Sequence, residues 1–347
     1  MKNFLINQKL KRGENATSLL KNPEVHNSKK HSFLPHICGS IFFENLSFDR
    51  KDNLLDIHII ALKNSPRIYE FFCEYNLKYV PRIFRAINAR ARDFNHNDYI
   101  ETQGVAPKKD KGESHLGCTL SHFYLWKKLK NSENHFHLIL EDDAFFCNYA
   151  DKALDYLIKE IPDDADLIFV NGRASEKLYV GCKYVDGSYT NIPKKMLFSR
   201  KEMLALMRNN YEFLKKSPKT GRTSLFNGTD GYILSKSGVK KLNDYVEKYG
   251  MEGLPASPRN NVDTILAAIT TDISDHEKIE MAYDIKRRIK NGSISDKPII
   301  NAYVCSFPLV DELQRVGINI SEDNKIDNQV NNKDISLISD AALNLET

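Results

Sequence analysis

Short apolar runs alternate with helical patterns along the middle of this chain. The run LLDIHIIALK (54–63) is rich in β-branched residues and predicts a buried strand, and YVPRIFRAIN (79–88) predicts a second one. A helix is predicted between them, over residues 67–75. Because the order strand–helix–strand is typical of a parallel βαβ unit, the pattern favours an α/β fold.

The same alternation continues towards the carboxyl end. Apolar residues at steps of three and four predict an amphipathic helix over 114–134. Residues 173–227 show no clear period and are predicted to be irregular. The remaining predicted strands are 135–140, 166–172, 231–235 and 301–310, and the remaining predicted helices are 155–161, 237–250 and 261–270.

Polar composition at both ends limits the folded part of the chain. We expect residues 1–50 to form a partly ordered N-terminal extension and residues 51–320 to form the main domain. Residues 321–347 are rich in Asn and Asp, which predicts a mobile tail. The whole chain has 347 residues, of which 41% are hydrophobic, and this is enough for a sizeable core.

Charge and cysteine usage narrow the class of protein. The net charge of +4 is small for a dedicated nucleic-acid-binding protein, so no nucleic-acid partner is expected. Basic residues concentrate in 194–222 and 286–290, where they form either solvated surface or a face attracted to an anionic membrane or acceptor. The six cysteines include no Cys-x-x-Cys pair. With no signal peptide and no apolar run near ~18 residues, we expect a cytoplasmic protein, with peripheral contact at the inner membrane.

Three consecutive acids, Glu141, Asp142 and Asp143, follow the predicted strand 135–140. Ligands of α/β sheets bind beyond the carboxyl ends of strands, and residues i and i+2 of an extended chain share a side. Clustered carboxylates repel one another unless a cation neutralises them, and Mg²⁺ or Mn²⁺ completes its oxygen shell with substrate phosphates. The cluster therefore predicts a divalent cation, held by Glu141 and Asp143, that bridges to a diphosphate. The alternative is a solvent-exposed acidic turn.

Three motifs in order carry a resemblance to a known family. The runs GCTLSHFYLWKKL (117–129), HLILEDDAFF (137–146) and GTDGYILSKSGVKKL (228–242) resemble glycosyltransferase family 25, which includes bacterial lipooligosaccharide galactosyltransferases and collagen galactosyltransferases. The segments HIIALKNSPR (58–67) and NVDTIL (261–266) are similar to further parts of that family. The resemblance covers about residues 55–312.

The resemblance implies a GT-A type fold, in which helices flank a mostly parallel central sheet. It also implies a UDP-sugar donor, most often UDP-galactose, a divalent cation (Mn²⁺ or Mg²⁺) and inversion at the anomeric carbon. By the same resemblance, Glu141 and Asp143 bind the metal, Asp142 lies at the diphosphate, and Ser121 and His122 lie near the donor. One departure concerns Glu113, because residues 112–117 read Gly-Glu-Ser-His-Leu-Gly where the family usually has Gly-Glu-Ile directly before Gly-Cys.

Other candidate residues come from the chemistry that such a transfer needs. An inverting transfer requires a general base for the acceptor hydroxyl, and the candidates are Asp263 and Asp230, with Asp263 preferred by a small margin. Each has an alternative role in helix capping or turn formation. His122 either contacts the donor, orients a carboxylate or packs in the core. The resemblance of 58–67 to the family's first strand and the residues after it implies that Asn64 and Arg67 contact the donor. We also expect Asn171 and Tyr232 to line the sugar pocket.

These observations lead to one preferred function and two alternatives. The preferred function is an inverting hexosyltransferase that acts on a saccharide or glycolipid acceptor in lipooligosaccharide or lipopolysaccharide biosynthesis. A GT-A-like nucleotidyltransferase usually has a Gly-rich basic loop after its first strand, whereas residues 63–67 contain no glycine. A non-catalytic nucleotide- or carbohydrate-binding protein would be marked by loss of carboxylates, and all three acids of 141–143 are present.

Overall fold

The computed structural model describes the central part of the chain. The expected tail and most of the expected N-terminal extension lie outside the described residues, as do the whole of 204–227 and 271–297. The described residues are 39, 42–43, 54–65, 67–68, 71–72, 75, 77–95, 112–179, 183–185, 188–190, 193–203, 228–249, 262–270 and 298–312.

The predicted strands are present with shifted ends, and so are the predicted helices other than 67–75. The helix predicted over 67–75 lies partly outside the described residues, and 67–68 and 71–72 are helical. The strands are β1 (Leu55–Ala61), β2 (Pro81–Arg85), β3 (Phe136–Glu141), β4 (Ala144–Phe146), β5 (Leu167–Phe169), β6 (Lys183–Val185), β7 (Ser188–Thr190), β8 (Leu197–Ser199), β9 (Gly231–Ser235), β10 (Ala302–Cys305) and β11 (Val310–Glu312). The helices are α1 (Gly112–Leu129), α2 (Ala150–Glu160), α3 (Gly172–Ser175), α4 (Lys236–Tyr249) and α5 (Val262–Ile269).

A seven-stranded mixed sheet forms the centre of the molecule, in the order β2-β1-β3-β9-β5-β10-β8. β1 pairs in parallel with β2 and β3, and β5 pairs in parallel with β10. β9 is antiparallel to both of its neighbours, and β8 is antiparallel to β10. The expectation of a mostly parallel sheet flanked by helices in an α/β fold is therefore met, with β8 and β9 as the reversed strands.

The helices cover the sheet with apolar faces that the sequence pattern predicted. α1 buries Leu116, Leu120, Phe123 and Trp126, which recur at steps of three and four. Gly117 lets this helix approach the end of β2 closely, since an added Cβ would lie 2.6 Å from the carbonyl oxygen of Ile87. Helix α1 is thereby fixed against the edge of the sheet where β2 ends.

Two further findings concern segments outside the clear periodic pattern. Residues 173–203 were predicted to be irregular, but the structure places in them most of α3, a 3₁₀ turn at Glu176–Tyr179 and the strands β6, β7 and β8. These strands have three residues each, too few to show a period in the sequence.

Before β1, Phe42 stacks on Phe307 and Phe43 stacks on Tyr149, so part of the N-terminal extension packs on the main domain. Among the described residues, no helix is both long and apolar enough to cross a membrane.

Candidate active site

The loops that follow β1, β3 and β5 meet the loop that precedes β9 at one edge of the sheet. Because β9 runs opposite to its neighbours, its first residues lie where β3 and β5 end. The backbone N–H of Glu141 donates to the carbonyl of Asp230 across this edge, at 3.3 Å. The strand order thus brings the acidic cluster of 141–143 next to the Gly-Thr-Asp run of 228–230.

The acidic cluster forms a turn rather than an extension of the strand. Glu141 is the last residue of β3, Asp142 and Asp143 form a turn, and β4 begins at Ala144. The prediction that Glu141 and Asp143 share a side because the chain is extended therefore had the wrong geometric basis. The two carboxyl groups are close all the same, since the charge of Asp143 helps to raise the pKa of Glu141.

Residues that follow β1 contact Asp142 and Asp143 directly. The Ser65 hydroxyl donates to Oδ2 of Asp142 at 2.6 Å. Nη1 of Arg67 lies 3.5 Å from Oδ2 of Asp143 and 4.0 Å from Oδ1 of Asp142. Arg67 is the more solvent-exposed partner of both pairs. Ser65 was not among the predicted site residues, and its place directly after a buried strand was the available signal.

Two neutral side chains, those of Thr229 and His122, contact the carboxyl group of Glu141. The Thr229 hydroxyl donates to Oε1 of Glu141 at 2.5 Å, and Nε2 of His122 lies 3.4 Å from the same oxygen. Burial, followed by the charge of Asp143, raises the pKa of Glu141 to about 8. Without a cation nearby, Glu141 is therefore protonated over much of the neutral range. Thr229 is a second residue that was not among the predicted site residues, although it belongs to the motif of 228–242.

A chain of hydrogen bonds supports Glu141 from the interior. The indole N–H of Trp126 donates to the Tyr232 hydroxyl at 3.0 Å, and that hydroxyl lies 2.7 Å from Nδ1 of His122. Burial lowers the pKa of His122 to about 3, so its ring is neutral. If the Tyr232 hydroxyl donates to Nδ1, the ring proton sits on Nε2 and points to Glu141, which satisfies every donor in the chain.

Arg173 connects the two candidate bases. Its Nη2 lies 3.1 Å from Oδ1 of Asp230, and its Nη1 lies 3.9 Å from Oδ2 of Asp263. The Asp230 side chain is only 3% exposed, and burial raises its pKa well above the usual range even though Arg173 opposes the shift. The Asp263 side chain is 29% exposed. Arg173, which the sequence reasoning missed, thus holds one buried and one accessible carboxylate.

Asn171 organises the loop before β9 from the end of β5. Its side-chain amide donates to the carbonyls of Gly228 and Gly231, at 2.9 and 3.2 Å. Its Oδ1 accepts the backbone N–H of Ala174 at 3.0 Å and caps α3. Gly228 has a φ of +88°, and a Cβ there would lie 2.9 Å from Oδ1 of Asn171. The close approach fixes the position of Thr229 and Asp230.

The remaining predicted site residues are either buried or outside the acidic cluster. Ser121 is completely buried, donates to the carbonyl of Gly117 at 2.6 Å and accepts the N–H of Ile87 at 2.8 Å. Asn64 is exposed in the turn after β1, with a φ of +67°. Tyr232 and Asn171, expected at a sugar pocket, are completely buried and bonded to protein groups. In this conformation they act on the site through Glu141 and the loop 228–230.

The carboxylate oxygens at this edge of the sheet are suitable ligands for a divalent cation. Five carboxyl groups, those of residues 141–143, 230 and 263, face two guanidinium groups, those of Arg67 and Arg173. Among the described residues, three buried oxygens of this set have no hydrogen-bond partner: Oδ1 of Asp143, Oδ2 of Asp230 and Oδ1 of Asp263. Buried carboxylate oxygens without partners are costly unless an ion or ligand binds them. Glu141 also groups with Cys118 and His122, with one ligand atom of each within 4.8 Å of the others.

Comparison with known proteins gives one match. The model of glycosyltransferase family 25, described as LPS biosynthesis protein, matches residues 54–266, which is more than half of the chain. The matched range runs from the start of β1 into α5 and contains every residue of the edge described above. No curated protein matches.

Proposed function

The chain belongs to glycosyltransferase family 25, the family of LPS biosynthesis glycosyltransferases, and from this premise we propose the finer details of its reaction. The enzyme transfers a hexose, galactose in first place, from a UDP-sugar to a saccharide or glycolipid acceptor, with inversion at the anomeric carbon. The fold is of the GT-A type. The observation that carries the proposal is the acidic turn, with its unpartnered Asp143 oxygen, at the edge where β1, β3 and β5 end.

In this proposal, Glu141 and Asp143 hold Mn²⁺ or Mg²⁺. A bound divalent cation would stabilise the negative charge that develops on a departing diphosphate. Asp142 is held by the Ser65 hydroxyl and does not need to bind the cation itself. Arg67, next to Asp142 and Asp143 and partly exposed, provides a positive charge for the donor phosphates.

Asp263 is the preferred general base for the acceptor hydroxyl. Its side chain is partly exposed, and its Oδ1 has no hydrogen-bond partner among the described residues. The Asp230 side chain is almost completely buried against Arg173, so a bound acceptor hydroxyl reaches it less readily than it reaches Asp263. Arg173 contacts both carboxyl groups and keeps Asp263 oriented.

The proposal also includes the cellular location at which the enzyme acts. Lys194 and Lys201 are exposed beside β8, and further basic residues follow in 204–222 outside the described residues. The two exposed lysines and the basic composition of 204–222 support work on a glycolipid acceptor at the cytoplasmic face of the inner membrane. A supporting result would be binding of the purified protein to vesicles with anionic lipid that weakens as salt is raised.

A donor screen tests the substrate and the metal together. Thermal unfolding is recorded with a panel of UDP- and GDP-sugars, with and without Mn²⁺, because a ligand that binds the native state raises Tm. We expect the largest rise with UDP-galactose plus Mn²⁺. A larger rise with a GDP-sugar, or an equal rise in excess EDTA, would contradict the donor or the metal respectively.

Turnover of matched variants tests the roles of the acids. Asp143→Asn should lower transfer at least about a hundredfold, since loss of one electrostatic contact to the transition state commonly costs that much. The control is Asp244→Asn on the exposed face of α4, which should leave turnover unchanged. Asp263→Asn should lower kcat while donor binding in the thermal screen is kept. If Asp263→Asn turns over normally and Asp230→Asn does not, the assignment of the base is wrong.

A further inference from the structure

Three polar side chains lie together at the opposite edge of the sheet, away from the acidic turn. Asp56 and His137 lie near the beginning of β1 and β3, and His58 lies in the middle of β1. The register pairs Asp56 with His137, and His58 is two residues after Asp56. In a pleated sheet these positions share one face, so all three side chains lie on the same side. Elsewhere these two strands are mainly apolar.

The distances suit a tetrahedral metal ion. Nε2 of His58 and Nδ1 of His137 are 3.4 Å apart. Two nitrogens bound to one zinc ion at 2.0–2.1 Å in a tetrahedron are separated by about 3.4 Å. One ligand atom from each of Asp56, His58 and His137 lies within 4.8 Å of the others.

Both imidazoles are in the form that binds metals. His58 and His137 are almost completely buried, and burial lowers the pKa of both rings, that of His58 to about 4. Neutral imidazoles bind a metal without first losing a proton. A hydrogen bond between the two rings is the competing explanation, and the metal titration below distinguishes it from a metal site.

Groups around the carboxylate hold it in place. The side-chain amide of Asn134 donates to Oδ2 of Asp56 at 2.5 Å, and Nη2 of Arg82 lies 3.6 Å from Oδ1. Outer partners of this kind orient metal-binding carboxylates. Since a carboxylate has about four acceptor positions, Asp56 keeps room for a metal beside these two contacts.

We propose that Asp56, His58 and His137 form a binding site for a divalent transition metal, zinc in first place, that fastens β1 to β3. Imidazole and carboxylate ligands suit zinc, and three protein ligands leave the fourth tetrahedral position for water. The site is separate from the acidic turn and does not depend on the proposed transfer reaction.

Metal titration of the full chain tests the site without measuring activity. The protein is stripped with a chelator and dialysed, and Co²⁺ is added as a spectroscopic probe for zinc. We expect visible d–d absorption of a four-coordinate cobalt ion that rises to one equivalent and is abolished by zinc. Zinc should also raise Tm. If the wild-type protein shows no tight zinc or cobalt binding, the proposal is overturned whatever the variants do.

Variants separate this site from the acidic turn. His58→Gln and His137→Gln should each weaken zinc binding at least about tenfold, since even outer partners of a metal ligand contribute that much. The matched control is His135→Gln, an exposed histidine two residues before His137, which should keep wild-type affinity. Loss of the cobalt spectrum in Glu141→Gln, with both histidine variants unchanged, would assign the metal to the acidic turn and overturn the inference.

Discussion

The hydroxyl of Tyr232 lies 2.7 Å from Nδ1 of His122, although the two residues are 110 positions apart in the chain. Tyr232 belongs to β9 and His122 to α1, and neither side chain is exposed. The hydroxyl also accepts the indole N–H of Trp126. This contact orients the ring of His122, whose Nε2 faces Glu141. Residues inside the core therefore determine how one proposed metal ligand is held.

The first prediction concerns Tyr232→Phe. The change removes one hydroxyl and leaves the buried N–H of Trp126 and a ring nitrogen of His122 without their partner. We expect the free energy of unfolding to fall by about 1–3 kcal/mol, the usual cost of unsatisfied buried groups. Because His122 is then free to change its tautomer, the Mn²⁺ concentration needed for half-maximal turnover should rise. Urea unfolding and a metal titration of turnover measure the two effects.

A tyrosine elsewhere in the sheet provides the control for this variant. Tyr303→Phe on β10 removes a hydroxyl that donates to Asp164 at the surface. Water can replace that hydroxyl, so both the stability and the metal requirement should remain close to the wild type. Equal effects of the two substitutions would show that the Tyr232 contact has no special role.

The second prediction uses the pKa of Glu141. In the metal-free protein this pKa is raised to about 8 from an unfolded value of 4.5, so the folded state binds a proton that the unfolded state has lost. The resulting stabilisation is complete below pH 4.5 and disappears as pH rises to about 8. Glu141→Gln should remove this component, and its stability should decline less than that of the wild type between these pH values. Denaturant unfolding in EDTA across this range measures the difference.

A second glutamate separates this effect from general charge effects. Glu160→Gln, at the exposed end of α2, should follow the wild-type pH curve. Added Mn²⁺ should reduce the pH dependence of the wild type, because a cation at Glu141 displaces the proton. Parallel pH curves for wild type and Glu141→Gln without metal would contradict the raised pKa.

The sequence pattern predicted β1, β3 and β9 close to their observed positions, because short runs of β-branched and apolar residues are typical of buried strands. It could not show that β9 runs antiparallel between β3 and β5, since the side-chain period of two is the same in both directions. The position of Thr229 and Asp230 beside Glu141 depends on that direction. The acidic cluster was a prediction from its place directly after an apolar strand, whereas the partners Ser65 and Arg173 emerged only from contacts between distant segments.

The third prediction concerns the buried side chain of Asn171. Asn171→Asp has almost the same shape, but it places carboxylate oxygen against the carbonyls of Gly228 and Gly231, where the amide now donates. We expect a loss of about 2 kcal/mol or more, together with looser packing of the loop 228–230. Urea unfolding measures the loss, and limited proteolysis within 228–230 measures the loosening. Because protonation of the new carboxyl restores a donor, the loss should become smaller at pH 4. A loss independent of pH would contradict this explanation.

The last prediction concerns the pair of Arg173 and Asp230. Arg173→Gln leaves the carboxyl of Asp230, which is 3% exposed, without its cation. Breaking a buried pair commonly costs about 3–5 kcal/mol. The partial exposure of Arg173 and the raised pKa of Asp230, which lets the carboxyl take up a proton, reduce this to about 1–2 kcal/mol. The double variant Arg173→Gln with Asp230→Asn has no buried charge at this position and should regain most of that stability. The control Lys130→Gln breaks an exposed pair with Glu247 and should leave the free energy of unfolding unchanged within error. If the double variant is as unstable as the sum of the single ones, the guanidinium of Arg173 does not stabilise the carboxyl of Asp230.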